Sequence, residues 1–307
     1  MEYQLPKTLI EAVTYFSIPE NCSEFVARIH WSGGKARCPE CDSLDVILMA
    51  RYQRYHCREC RKQFSIKLGT IFEKSPLPLS KWLPVMWLMA NAKNGISSHE
   101  IARSVGVTQK TAWFMSHRLR EVMRTGTFKK LSGVVEADES FVGGSDHNRH
   151  ASKKTHKRGR GSNIPVMGMV ERGGKVVSHV IDGQTRKDLH KEVRRHVEKA
   201  SVLYTDAFKS YHGLAGDYYR ATVNHREGEY VRGDVHTNTI EGFWALFKRC
   251  IKGTHIHLSA FHLDRYLDEE CYRYNLRKSD DQARFETGMS QIVGKRLTWN
   301  VLTGKAL

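Results

Sequence analysis

The sequence predicts a multidomain α/β protein: a small cysteine-stapled module and a helical region, followed by a mixed sheet flanked by helices. Three observations predict it. Two C-x2-C pairs, Cys38-Pro39-Glu40-Cys41 and Cys57-Arg58-Glu59-Cys60, stand fifteen residues apart. Two amphipathic helical patterns meet at Gly106. From about residue 134, period-two strand patterns alternate with helical ones, the ordering of a mixed sheet covered by helices.

The chain has 307 residues, 40% of them apolar and 27% charged, as in ordinary globular proteins. It contains no run of about 18 apolar residues, which argues against a membrane span. Its start lacks the basic and apolar regions of a signal peptide, so a cytoplasmic location is expected. The net charge is +16 and unevenly spread. Residues 1–133 carry 20 Lys/Arg against 11 Asp/Glu, and residues 143–163 carry 6 against 1. That distribution suits a polyanionic partner, although a solvated basic surface would have the same composition.

In chain order, Leu9, Ile10, Val13 and Phe16 have helical spacing, Pro19 closes that segment, and Phe25, Val26 and Ile29 continue a second. Cys38, Cys41, Cys57 and Cys60 can surround one zinc ion tetrahedrally, with the intervening Val46–Met49 and Tyr52–His56 as a hairpin: a zinc ribbon. Four cysteine ligands leave no open position, so this zinc is structural. A helix is expected from Ser80 to about Asn94, with Pro84 near its first turn. A helix-turn-helix follows, with Ile101, Ala102 and Val105 inward, a turn at Gly106, and Thr108 capping a helix that buries Ala112, Met115, Leu119 and Val122. Its second helix offers Gln109, Lys110 and His117 to a major groove, with Arg118, Arg120, Arg124, Lys129 and Lys130 as phosphate contacts. A plain helical hairpin used for packing is the competing reading.

Val134–Val142 reads as a strand interrupted by Glu136, Asp138 and Glu139. An unpaired buried carboxylate is costly, so a cation or a metal is expected nearby. Residues 144–163 lose all periodicity. Lys153, Lys154, Lys157, Arg158 and Arg160 make them a candidate phosphate-binding arm, or a solvated insertion. A hairpin turning at Gly173-Gly174, a helix boxed by Thr185 and Asp188, a strand ending at Asp206, a short strand near Thr222–His225 and helices from Asn238 and Ser259 complete the pattern. Residues 279–307 show no pattern. The expected domains are 1–75, 76–131, 132–278 with the insertion 144–163, and 279–307.

Asp138, Asp206 and Glu241 lie on a first strand, at the end of a later strand and in the first turn of a late helix. The order of elements is ribonuclease-H-like, and such a fold can bring them together. Two Asp and one Glu can hold two magnesium ions for an in-line phosphoryl displacement. Other assignments stay open. Glu136 and Glu139 compete as first ligand, Asp206 fits a turn, and Glu241, three after Asn238, fits a capping box.

The chain resembles the DDE transposases of bacterial insertion sequences that carry an N-terminal zinc ribbon. The matching segments begin with Cys57-x-x-Cys60 leading into Phe64-Ser65 and Gly69-Thr70, then Trp82 and Thr111-Ala112-Trp113. They continue with Asp138-Glu139-Ser140 before Val142-Gly143-Gly144, Tyr204-Thr205-Asp206 with Tyr211, His236–Trp244 and Tyr272-Arg273-Tyr274-Asn275. The resemblance maps the DDE triad onto Asp138, Asp206 and Glu241. It implies two Mg2+ (or Mn2+) ions there, one structural Zn2+, and nucleoid-associated action on double-stranded DNA. It further implies binding of the element's terminal inverted repeats, cleavage by an activated water, strand transfer into target DNA, and a homo-oligomer holding two ends. His225 and His236 are candidates for phosphate contacts, or ordinary surface or core histidines. The alternatives are a DNA-binding regulator with a degenerate core, and a resolving or repair nuclease of the same fold.

Overall fold

The computed structural model describes residues 5–31, 34–124, 129–143, 163–256 and 258–305. The chain divides into two compact units, residues 1–124 with 278–307 and residues 125–277. The expected arm residues Lys153, Lys154, Lys157, Arg158 and Arg160 lie outside the described residues. Among the described residues no helix is long and apolar enough to cross a membrane.

The first unit opens with α1 (Leu9–Phe16) and α2 (Pro19–His30). Pro19 does not close a helix but starts one. It sits at the first position of α2, where its missing N–H costs nothing. Strands β1 (Val46–Met49), β2 (Arg54–Cys57) and β3 (Gln63–Phe64) form the antiparallel ribbon. Helix α3 (Leu79–Asn91) carries Pro84 in its second turn rather than its first. Helices α4 (Ser98–Val105) and α5 (Gln109–Met123) meet at Gly106, whose φ of 61° is the left-handed value such a turn requires. Thr108 accepts a hydrogen bond from the Thr111 amide and so caps α5.

The C-terminal residues complete this unit. Helix α9, once the helices of the second unit are counted, spans Asp281–Met289. Its Phe285 packs on Phe16, Phe25 and Trp87, with ring centroids 5.2–5.6 Å apart. The Ile71 amide donates to the Ile292 carbonyl at 2.9 Å. A short helix α10 (Trp299–Leu302) follows. Residues 279–305 are therefore structured, and their weak pattern reflects a core shared with distant helices.

The second unit is a five-stranded mixed sheet. Its strands are β4 (Val134–Val142), β5 (Ile164–Glu171), β6 (Val176–Val180), β7 (Val202–Asp206) and β8 (Tyr219–Val223) in the order β6-β5-β4-β7-β8. The β4/β5 and β5/β6 pairs are antiparallel, and the β4/β7 and β7/β8 pairs parallel. Helix α6 (Arg186–His196) covers one face, where Val135, Ala137, Met167 and Met169 pack against Leu189 and Val193. Helices α7 (Asn238–Cys250) and α8 (Leu263–Asn275) cover the other, over Val142, Val166 and Val170. Edge strand β6 is blunted: Asn275 bonds both the N–H and the carbonyl of Val176, and Asp264 accepts from the Val180 amide.

Gly168, directly opposite Asp138 in the β4/β5 register, lets α7 approach the sheet. A Cβ there would lie 2.6 Å from Trp244 and 2.8 Å from Ile240. Gly168→Ala is expected to push α7 outward and destabilise this unit by roughly 1–3 kcal/mol, as overpacking does. Chemical denaturation checks this, and an unchanged midpoint would remove the requirement for glycine.

Candidate functional site

Side chains alternate along β4, so Glu136 and Asp138 emerge on the α7 face and Glu139 on the α6 face. The three acids have different surroundings. Glu136 is fully buried. Its Oε1 accepts from Arg172 Nε at 2.7 Å and Thr239 Oγ1 at 2.8 Å. Its Oε2 accepts from the backbone amides of Thr239 at 2.8 Å and Ile240 at 3.1 Å. Thr237, the capping residue of α7, makes no side-chain cap bond. Glu136 does that work from a different strand, where a carboxylate also meets the positive end of the helix dipole. With both oxygens used, it is not a competing ligand.

Glu139 accepts a hydrogen bond from the Tyr211 hydroxyl. Burial, then the neighbouring Asp138 and Asp206 charges, push its carboxyl up to about 8 against that bond. It too is committed elsewhere. Asp138 has none of these anchors. Burial first, then the charges of Asp206 and Glu241, push it up to about 7, with Lys248 opposing.

Asp206 comes alongside through the parallel β4/β7 register. Glu136 pairs with Tyr204, and Asp138 and Asp206 each lie two residues further along. The turn reading of Asp206 is also realised, because its Oδ1 accepts from the Phe208 amide at 3.0 Å. The Asp206 carbonyl is held by Arg220 Nη2 at 3.2 Å. Glu241 lies in the first turn of α7 as expected, but Thr237 and not Asn238 is the N-cap, so it is not half of a capping box with Asn238. Its Oε1 accepts from Thr237 Oγ1 at 2.8 Å and lies 3.7 Å from His225 Nε2. Asp206 and Glu241 thus lie near enough to Asp138 for their charges to act on it. The three do not form a closed ligand set. Among the described residues, the four cysteines are the one group of three or more such side chains whose ligand atoms all lie within 4.8 Å.

In the ribbon, Cys38 and Cys60 sulfurs are 3.5 Å apart, as are those of Cys41 and Cys57. A tetrahedral zinc with Zn–S bonds near 2.3 Å needs sulfurs about 3.8 Å apart, so this cluster fits a structural ion.

The expected DNA contacts divide. Gln109 and Lys110 are exposed at the start of α5, Gln109 donating to Ser98 Oγ and Lys110 lying 4.8 Å from the centroid of the Trp299 ring. Arg118 is corrected. It is 3% exposed, donates to the Glu73 carbonyl and lies over the Trp82 and Phe114 rings, so it serves the core. Arg120 and His117 are likewise buried. His236 Nδ1 faces Glu136 and accepts from the Asn238 amide, a structural place at the head of α7. Sequence reasoning missed Lys248 and Arg172. Lys248 lies seven residues after Glu241, two helical turns along the same face, a spacing that could have flagged it. Arg172 carried no signal: it ends the β5 hairpin arm, bonds Glu136 and the carbonyls of Asp234 and His236, and lies over the Tyr204 ring.

A four-cysteine ribbon precedes a mixed-sheet unit in the chain, and sequence comparison gives the class, an enzyme acting on DNA. Residues 19–63 match the transposase zinc-ribbon domain family, and residues 130–275 match the ISXO2-like transposase domain family. The chain belongs to the insertion-sequence transposases with an N-terminal zinc ribbon. It is 29% identical over 270 residues to an uncharacterized protein in transposable element ISH50 of Halobacterium salinarum, covering 82% of this chain and 89% of that protein. Two solved structures are far more distant. A simian T-cell lymphotropic virus intasome in complex with PP2A regulatory subunit B56 gamma aligns with TM-score 0.30 and 9% identity, over 61% of this chain and 67% of its own. A pre-cleavage Mos1 transpososome aligns with TM-score 0.27 and 12% identity, over 69% and 79%. At those scores neither carries an argument.

Two outcomes separate the acids. Glu136→Ala removes the charge partner of Arg172 and the acceptor of the α7 amides and should cost about 3–5 kcal/mol. Asp138→Asn should not destabilise. The folded Asp138 carboxyl keeps its proton where the unfolded chain has released it, so the metal-free protein loses stability as pH rises from about 4 to about 7. Asp138→Asn should flatten that slope in denaturation series run in chelator, leaving the part due to Glu139. A slope identical to wild type would refute the burial of charge at Asp138. For the ribbon, Cys57→Ser should abolish zinc uptake and unfold residues 34–75, and a folded, zinc-free variant by spectroscopy and metal analysis would overturn the assignment.

Proposed function

We propose that this transposase cleaves DNA at the ends of its own insertion sequence and joins them to target DNA, using magnesium held by Asp138, Asp206 and Glu241. One observation carries the reading: the α7 face places Asp138 and Asp206 side by side from parallel strands, while Glu136 fixes the helix that bears Glu241. The β6-β5-β4-β7-β8 order with α7 across it supports a ribonuclease-H-like core. Asp206 and Glu241 raise the proton affinity of the buried Asp138, and three carboxylates are a donor set suited to hard divalent cations. Two bound magnesium ions, or manganese, would activate the attacking oxygen and stabilise the leaving oxygen.

The chain's own groups do the rest. Thr237 and His225 hold the Glu241 carboxylate, Arg220 fixes the backbone at Asp206, and Lys248 brings a positive charge towards the phosphate. In the first step water attacks the phosphodiester at the element's end, and the 3′ oxygen leaves as a hydroxyl. In the second that hydroxyl attacks a target phosphate and displaces its 3′ oxygen. The ribbon and the exposed start of α5, with Gln109 and Lys110, are the surfaces offered to the terminal repeats as a helix-turn-helix. The arm residues Lys153, Lys154, Lys157, Arg158 and Arg160 add phosphate contacts, and two copies hold two ends.

The test is a cleavage and strand-transfer assay on duplexes carrying the repeats that flank the gene. Wild type should nick and join them in Mg2+. Asp138→Asn, Asp206→Asn and Glu241→Gln should lose both steps and keep end binding in a mobility-shift assay. Wild-type cleavage rates from Asp138→Asn would sink the assignment.

A further inference from the structure

A cavity of about 480 Å3 opens in the first unit, where the β1–β2 turn meets the start of α2 and the segment leading into α3. Three cations line it, Arg54, Lys67 and Lys74, and no carboxylate does. Glu73, beside Lys74 in the chain, is engaged elsewhere: it accepts from the Gly69 amide and pairs with Arg296 at 3.5 Å. A basic surface alone would be ordinary on a chain of net charge +16. Two features set this cavity apart.

The first is Lys67. It is half-buried, and its Nζ donates to the Ser75 carbonyl at 3.2 Å and to the Leu77 carbonyl. An ammonium has three protons to donate, so one is left over. No carboxylate pairs with it among the described residues. Burial, and then the charge of Arg118, lower its proton affinity. An anion arriving in the cavity would offset the cost of holding that charge out of water.

The second is the backbone. Gln53, at φ 49°, and Lys74, at φ 57°, both line the cavity in a left-handed conformation that glycine enters freely and longer residues do not. Gln53 is anchored there by its own side chain, which accepts from Ser23 Oγ and donates to the Ala50 carbonyl. Lys74 has no such anchor. Its exposed side chain, like that of Arg54, makes no hydrogen bond or ion pair among the described residues. The turn thus carries a cation where glycine would fit with less strain, which argues that the charge is used.

We infer that this cavity seats a backbone phosphate of double-stranded DNA, with Arg54 and Lys74 as its adjustable contacts and Lys67 as its fixed charge. The identity of the polyanion rests on the transposase reading above. A cavity of this size takes more than a lone ion, such as a phosphodiester with its flanking sugars. The contact would position the duplex without reading its sequence. It supplies this unit with the phosphate grip that Arg118 and Arg120, buried in the core, do not.

The experiment measures binding of the full-length, zinc-loaded protein to the flanking-repeat duplex over a salt series, with magnesium omitted so that no strand is cut. Arg54→Gln combined with Lys74→Gly should reduce the slope of log affinity against log salt by about 0.9, one phosphate contact. The reduction should be the same on an unrelated duplex, because a phosphate carries no sequence. Lys74→Gly relieves the left-handed backbone, so its melting temperature should not fall, and weaker binding is then not a folding defect. A single uncharged methylphosphonate linkage stepped through each strand should find one position where wild type loses affinity and the double variant loses no more. An unchanged salt slope, or equal methylphosphonate effects in both proteins at every position, would overturn the site while leaving the transposase reading intact. Binding of inorganic phosphate that the double variant loses, with no change in DNA binding, would make this a small-anion site and overturn the DNA assignment. Failure of wild type to bind either duplex would overturn both readings.

Discussion

The arrangement depends on one buried carboxylate that does no chemistry. Glu136 stands on β4, but its hydrogen bonds end at the start of α7, on the amides of Thr239 and Ile240. A helix start leaves its first amides without partners, and burying them unpaired would be costly. Here a strand supplies the missing acceptor across 103 residues of sequence. The same carboxylate pairs with Arg172, whose guanidinium also ties down the carbonyls of Asp234 and His236. Strand, hairpin end, loop and helix are thereby locked at one point. Because Glu136 and Asp138 are two residues apart on one face, that lock sets the distance between Asp138 and the helix that carries Glu241.

Packing makes the lock possible. Gly168 faces α7 where any Cβ would collide with Trp244 and Ile240. The close approach puts the axis of α7 low over the sheet, so that the start of the helix reaches Glu136 and its first face looks towards Asp138. Apolar burial of Ile240, Phe243, Trp244 and Phe247 holds it there. Electrostatics then supplies the demand for a cation. Asp206 and Glu241 add charge beside Asp138, where burial already disfavours it, and Asp138 responds by holding its proton towards neutrality.

Legibility in the sequence followed the range of the interaction. The ribbon was readable because a knuckle is local: two cysteines three residues apart are enough to define it. The capping residues Thr108 and Thr185 were readable for the same reason. The proposed triad was half readable. Asp138 and Asp206 show as acids at strand positions, and Glu241 as an acid on a helix, but nothing in the spacing distinguishes Asp138 from Glu136 or Glu139. That distinction is made by partners far away, Arg172 and Tyr211, whose own positions look unremarkable. Arg118 misled for the reverse reason. Its charge suggested a phosphate, yet two aromatic rings and the Glu73 carbonyl take it into the core. Residues 279–307 looked patternless because Phe285 packs against α1, α2 and α3 rather than against a repeat of its own face.

This division of the acids has a consequence for the proposed metal binding. Had the helix been positioned by the ions themselves, each binding event would carry the cost of ordering α7, and affinity would be correspondingly weaker. Glu136 removes that cost beforehand, since its partners are all protein groups present without metal. The three carboxylates proposed as ligands stay spread rather than closed around a point, and the motion needed to close them would fall on side chains alone. Glu241 is the loosest of the three, exposed and steered only by Thr237 and His225. A site with a rigid frame and one adjustable carboxylate can accept a phosphate together with its ions. That is what the proposed reaction, passing from an attacking water to an attacking 3′-hydroxyl at the same place, would require.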